Sequence, residues 1–179
     1  MKSNKTKDIA YVAAGVTVIT LCAWISIPVQ IPFTLQTFAI FTVLGVLGGK
    51  LGTFSVLTYI VIGALGAPVF AGFKGGVGVL LNSTGGYIIG FLVIALILWL
   101  FEKLFGKKQV VFIASSAVGL ILCYTFGTAW FMFLYTKGGK EIALTSVLMS
   151  CVVPYIIPDI IKIGLSVIVK DRLKKALKL

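Results

Sequence analysis

The chain has 179 residues, of which 59% are hydrophobic and only 12% charged, with a mean hydropathy of +1.12. An ordinary soluble domain carries about a quarter charged residues, so the composition excludes a water-soluble fold and points to an all-α integral membrane protein. The 16 Lys and Arg stand against 5 Asp and Glu, for a net charge of +11, and there is no His, which removes imidazole catalysis and His metal ligation from consideration.

No Asp, Glu, Lys or Arg occurs from Ile9 to Gly49, Leu51 to Phe73, Gly75 to Phe101, Gln109 to Thr136 or Ile142 to Pro158. About 20 apolar residues suffice for a helix to cross a bilayer, and the first run is long enough for two. The expected spans are therefore 9–27, 35–49, 51–65, 84–101, 110–135 and 142–169, forming one membrane domain over 1–179. The second and third are short, which predicts tilting or a break there. Lys2, Lys5 and Lys7 give the chain a basic start, but the apolar stretch that follows exceeds the core of a signal peptide and leads directly into another span.

Orientation follows from the loops, because cytoplasmic loops are enriched in Lys and Arg. With both termini cytoplasmic, that side receives Lys2, Lys5, Lys7, Lys50, Lys103, Lys107, Lys108, Lys170, Arg172, Lys174, Lys175 and Lys178, and the other side only Lys74, Lys137 and Lys140. Positive charge in these flanking positions needs no nucleic-acid partner.

Two interruptions rich in Gly and Pro fall on the predicted outer side, Ile27 to Thr34 and Gly66 to Asn82. Irregular backbone at membrane depth is tolerated where it is buried in protein or lines a cavity, so both are expected to wall or cover an outward-facing pocket. Asn82 offers donors and an acceptor beside Gly85 and Gly86, and glycines there permit close approach of a ligand or of a neighbouring helix.

Asp159 and Lys162 are the two charges that interrupt an apolar segment, within Tyr155-Ile-Ile-Pro-Asp-Ile-Ile-Lys162. An ionisable residue at membrane depth is a functional-site hypothesis by default; the competing reading is a structural ion pair, since residues three apart share a helix face. Pro158 is expected to distort the helix there and free backbone groups. Cys22, Cys123 and Cys151 lie in separate apolar segments and form no readable metal or redox cluster. No Gly-x-x-x-x-Gly-Lys-Ser/Thr sequence occurs, so the chain is not expected to hydrolyse ATP.

Five segments together carry a family resemblance: IPFTLQTF at Ile31 to Phe38, LGGKLG at Leu47 to Gly52, GAPVFAG at Gly66 to Gly72, STGGYIIGF at Ser83 to Phe91 and PYIIPDIIK at Pro154 to Lys162. In this order over most of the chain, the set resembles the biotin-specific S components of energy-coupling factor transporters, the BioY family. Two positions depart from the family pattern: Asn82 precedes STGGY where a Gly-Pro is common, and Pro158 stands where Gly is usual before the Asp.

The resemblance implies six transmembrane helices in the plasma membrane and high-affinity biotin binding from outside. Energy would come from a transmembrane T component and two cytoplasmic ATPase subunits, with no cofactor resident in this chain. Small residues on the first helix would meet the T component, here Ala10, Ala14 and Gly15, since small residues four apart let helices approach closely. Biotin's ureido ring presents N–H donors and a carbonyl beside an apolar thiophane ring. Asp159 can accept from an N–H, and Lys162 or Asn82 can donate to an oxygen. The expected ligand set is Asp159, Lys162, Asn82, Gly85, Gly86, Tyr87, Gln36, Phe33 and Tyr155, with Phe70 among the sheltering aromatics.

Two other classes compete on residues alone. A self-sufficient secondary transporter of biotin or a related small molecule would use Asp159 and Lys162 as a proton or ion relay. An intramembrane enzyme is the weakest reading, because one carboxylate and one amine make a sparse catalytic set.

Overall fold

The computed structural model describes residues 5–29, 31–139 and 143–177. Lys2, Lys140 and Lys178 of the charge count, Gln30 of the first loop and Ile142, the expected start of the last span, lie outside the described residues. The elements in chain order are α1 (Lys5–Trp24), β1 (Ser26–Ile27), β2 (Phe33–Thr34), α2 (Gln36–Ala64), α3 (Val77–Leu80), α4 (Gly85–Phe105), α5 (Gln109–Lys137), α6 (Leu144–Cys151) and α7 (Val153–Leu177). Among them, α1, α2, α4, α5 and the α6–α7 segment are each long and apolar enough to cross a membrane.

The second and third expected spans are joined in α2, whose backbone leaves helical geometry at Gly48, with φ 80° and ψ 166°. A positive φ of this kind is accessible to glycine and strained for other residues. The two halves fold back on one another. The side-chain amide of Gln36 donates to the Tyr59 hydroxyl at 2.9 Å, although in a straight helix those residues would lie about 34 Å apart. A Cβ on Gly52 would sit 2.8 Å from the Cα of Leu44, so the hairpin closes only because that side chain is missing. This hairpin is the middle of the molecule: 72% of its most apolar window is buried, against 28–39% for the other long helices.

Two boundaries differ from the sequence expectation. α1 ends at Trp24, and the chain turns extended at Ser26–Ile27 to pair antiparallel with Phe33–Thr34, because the following Ile27-Pro-Val segment cannot continue a helix. The last span is two helices, broken at Val152. Pro154 lacks the N–H that would bond one turn back into α6. Pro158, by contrast, sits inside α7 without ending it; its missing N–H costs only the bond to the Pro154 carbonyl, one turn before Asp159.

The two irregular loops are fastened to the helices beneath them. The Trp24 indole donates to the Pro68 carbonyl at 2.8 Å and its ring lies 4.8 Å from that of Phe73. The Tyr59 hydroxyl donates to the Val69 carbonyl at 3.0 Å, and Phe70 packs edge-on against the same tyrosine with centroids 5.5 Å apart. Phe70 itself is 1% exposed, so the second loop carries a side chain fully into the core.

Candidate functional site

Under these loops, Asp159 and Lys162 face inward from α7, 3% and 6% exposed. Four side chains from three helices form one network. The Asp159 Oδ1 accepts from Lys162 Nζ at 2.8 Å and from the Thr37 hydroxyl at 2.9 Å, while Oδ2 accepts from the Tyr124 hydroxyl at 2.6 Å. Lys162 also donates to Thr37 Oγ1 at 3.0 Å, and its ammonium lies 4.6 Å from the centroid of Phe33. A carboxylate has about four acceptor positions, and three are used here. The free lone pair on Oδ2 and the remaining N–H of Lys162 give the wall one acceptor and one donor for a ligand.

The electrostatics follow from that count. A buried pair is costly to desolvate unless further hydrogen bonds complete it, and Thr37 and Tyr124 supply them. The opposite charges of Asp159 and Lys162 offset each other, and the network is tied to three helices.

Two cavities meet here. The inner one, about 50 Å³, is walled by this network together with Leu120, Cys123 and Cys151. The outer one, about 240 Å³, opens between the two loops past Val29, Lys74, Asn82 and Ser83. Ile31, Pro32, Thr34, Tyr87 and Phe91 border both, so the two volumes are neighbours. The lining is mostly apolar with a few convergent polar groups, the usual character of a small-molecule pocket.

The residues expected from sequence fall into three groups. Asp159, Lys162, Tyr87 and Tyr155 line the inner cavity, and Gln36, Tyr87 and Asn82 the outer one. Phe33 lies under the Lys162 ammonium and 6.0 Å from the Tyr155 ring, and the Tyr155 hydroxyl donates to the Ile31 carbonyl, which ties α7 to the first loop. The Asn82 side-chain oxygen is engaged locally, accepting from the Thr84 amide at 2.9 Å and hydroxyl at 2.6 Å. Gly85 and Gly86 border neither cavity: a Cβ would lie 1.8 Å from the Leu80 carbonyl oxygen and 2.4 Å from the Trp130 Cβ, respectively. On the side where a Cβ would point they allow close approach of the protein itself, which is the helix-packing alternative that the sequence left open.

On α1, Ala10 and Ala14 are exposed, but Gly15 is buried, where a Cβ would meet the Ser55 hydroxyl at 2.6 Å and Val43 at 3.0 Å. Gly15 is thus a contact to α2 and not part of an outward face with the two alanines.

Thr37 and Tyr124 are the site residues that sequence reasoning missed. Thr37 is the second residue of α2 and has no helical carbonyl one turn back to bond. Thr17, Thr20 and Thr125 each donate to the carbonyl four residues earlier. A hydroxyl in the first turn of a membrane helix was the available signal.

A multi-helix membrane protein with a largely apolar pocket and a few convergent polar groups beneath two loops has the build of a small-molecule binding or transport protein. The whole chain, residues 1–179, matches the BioY family. It is 37% identical over 171 residues to the probable biotin transporter BioY of Pyrococcus horikoshii, covering 95% of this chain and 98% of that one. It is 39% identical over 169 residues to the biotin transporter BioY of Thermotoga maritima, covering 92% and 95%. A crystal structure of the S-component for biotin from an ECF-type ABC transporter superposes with a TM-score of 0.85 at 29% identity, covering 98% of this chain and 95% of the other. The chain belongs to the BioY family, a family of transport proteins.

Proposed function

We propose that this chain is the high-affinity biotin-binding subunit of an energy-coupling factor transporter in the plasma membrane. It is a single membrane domain with six spans, counting the two halves of α2 separately, and with both termini cytoplasmic. Biotin enters from the outside beneath the two loops. A T component and two ATPase subunits supply the energy for its release inside. The observation that carries this reading is the Asp159–Lys162–Thr37–Tyr124 network at the end of a loop-covered apolar cavity.

Each contribution follows from the chemistry. The free acceptor of Asp159 takes an N–H of the ureido ring, and the spare N–H of Lys162 reaches a ligand oxygen, both as charge-assisted bonds. Tyr87, Phe33 and Tyr155 shelter the apolar rings, and Gln36, itself held by Tyr59, offers its carbonyl to the outer cavity. Asn82 sits at the mouth, where it orders the turn into α4 and presents its amide.

Calorimetric titration of the purified chain with biotin tests the proposal. Tight binding by this subunit alone is expected, and Asp159→Asn should weaken it by roughly 1.5 kcal/mol or more. No binding to the folded protein would refute the ligand assignment. The partner assignment is tested separately. Ala14→Trp places a large ring on the exposed stripe of α1 and should abolish assembly with the T component while leaving biotin binding intact. Uptake by this chain in cells without any energising subunits, abolished by a proton uncoupler, would instead identify a secondary transporter.

A further inference from the structure

We infer that the end of the helix bundle opposite Asp159 holds a second binding site, for a phosphate group, built from Lys107, Lys108, Lys170 and Lys174. These four lysines surround one small cavity between α2, α4, α5 and α7. The acid in its wall, Glu102, is already committed: Oε2 accepts from the Gly49 backbone N–H at 2.6 Å and Oε1 pairs with Lys107 at 3.3 Å. The cavity is therefore lined by positive charge that its own carboxylate does not balance.

Lys170 distinguishes this arrangement from ordinary positive charge at helix ends. Lysines in that position normally snorkel, with the ammonium in the aqueous interface. Lys170 is only 7% exposed and its ammonium lies 4.7 Å from the centroid of the Phe112 ring. The carboxylate that pairs with it, on Asp171, is at 3.4 Å with a side chain 48% exposed. The fold makes room for the lysine stem: a Cβ on Gly45 would lie 2.9 Å from the Lys170 Cδ. A cation held inward with a weak, solvated counter-charge is stabilised by an anion that enters from outside.

The cavity is small, about 30 Å³, and open to the outside, so it receives the oxygens at one edge of a phosphate group while the rest of the group stays at the mouth. Lys107, with a side chain 70% exposed, stands at the mouth, where the remainder of a phosphodiester would extend. Basic pockets between transmembrane helices are suited to phospholipid head groups, and the same lysines would take free phosphate. The site is independent of what occupies the opposite end of the bundle.

The test uses the full chain in nanodiscs of phosphatidylcholine, alone or with phosphatidylglycerol, and with oleate as an anionic lipid lacking phosphorus. Phosphatidylglycerol should be retained in native mass spectra and raise Tm, whereas oleate at equal charge should not. Lys170→Met keeps the stem and removes the charge; it should weaken phosphatidylglycerol retention roughly tenfold, and Lys107→Gln with Lys108→Gln should weaken it less. A Tm rise with inorganic phosphate in phosphatidylcholine discs, without one for phosphatidylglycerol, would support the site and identify free phosphate as the occupant. Failure of both probes to bind wild type would overturn the inference. So would equal binding to wild type and to the Lys107/Lys108 double variant, which stands as the test even where Lys170→Met does not fold.

Discussion

Asp159 and Lys162 near the start of α7, and Lys170 and Lys174 nearer its end, lie along one inward helix face roughly 16 Å apart between Asp159 and Lys170. The first two are matched to each other and completed by Thr37 and Tyr124. The other two crowd a cavity with Lys107 and Lys108, and the one carboxylate in its wall, Glu102, pairs with Lys107 alone of the four and otherwise caps the Gly49 N–H. Burial alone therefore does not define the role of an intramembrane charge. What matters is how many of its partners the protein supplies. A nearly complete set leaves room for one or two directional bonds to a ligand's uncharged polar groups, and an incomplete one leaves room for an ion.

The largest effect that would sharpen this contrast is on stability. Lys162→Ala leaves Asp159 buried without its counter-ion, and removing one partner of a buried pair costs about 3–5 kcal/mol. Thermal unfolding of the ligand-free protein should register that loss, and Asp159→Asn combined with Lys162→Met should recover most of it. Lys170→Met in the same assay should be neutral or stabilising, because it deletes a charge that was only weakly compensated. Equal losses for Lys162→Ala and Lys170→Met would erase the distinction between the two ends.

A smaller effect is expected on binding. Tyr124→Phe removes the donor to Asp159 Oδ2 without changing the ring, and a hydrogen bond to a charged group contributes about 1.5 kcal/mol or more. Titration should show biotin affinity lowered roughly tenfold. Unchanged affinity would mean that the tyrosine hydroxyl only braces the carboxylate for folding.

The charged half of this site was legible in the sequence because a carboxylate and an ammonium inside an apolar run have few physical explanations. The hydroxyl half was not. A Thr or Tyr in a membrane helix is ordinary, and several threonines here bond their own helix, as Thr17 and Thr125 do. Whether Thr37 does otherwise depends on α7 arriving beside it, which is a tertiary fact. The glycines were ambiguous for a related reason. Gly85 and Gly86 signal close approach, but not whether the approaching atoms belong to a ligand or, as found, to Leu80 and Trp130. The apolar runs located the long helices well, since length and hydropathy are local. They placed the division between the second and third spans at 49–51, beside the Gly48 break, but did not show that the last span breaks at Val152.

The loop fastening gives a third, still smaller, expectation. Trp24→Phe keeps an aromatic ring near Phe73 but loses the indole bond to the Pro68 carbonyl, an exposed bond worth about 1 kcal/mol. The outer loop should then open more readily. Stopped-flow measurement should show biotin release accelerated several-fold, with equilibrium affinity following. An unchanged release rate would mean that the loop does not gate the pocket.

The smallest expected effect is the one that decides whether the two ends of α7 are separate. Lys170→Met should change biotin affinity by less than about 0.5 kcal/mol, because substitutions more than about 10 Å apart without shared partners act additively. The layer between them gives this prediction its content. Ser166 is fully buried on the same α7 face and bonds its own helix at the Ile163 carbonyl, 2.7 Å away. The buried hydroxyls of Thr42 and Ser116 have no hydrogen-bond partner among the described residues. The register of the helices, with Thr37 beside Asp159 and Gly45 beside Lys170 on α2, and Tyr124 and Phe112 in the same places on α5, puts Thr42 and Ser116 near the level of Ser166. If Lys170→Met lowers biotin affinity well beyond the additive limit, and Thr42→Val removes that coupling, the hydroxyl layer connects the two sites. If affinity is unchanged, α7 carries two independent charge sites on one face.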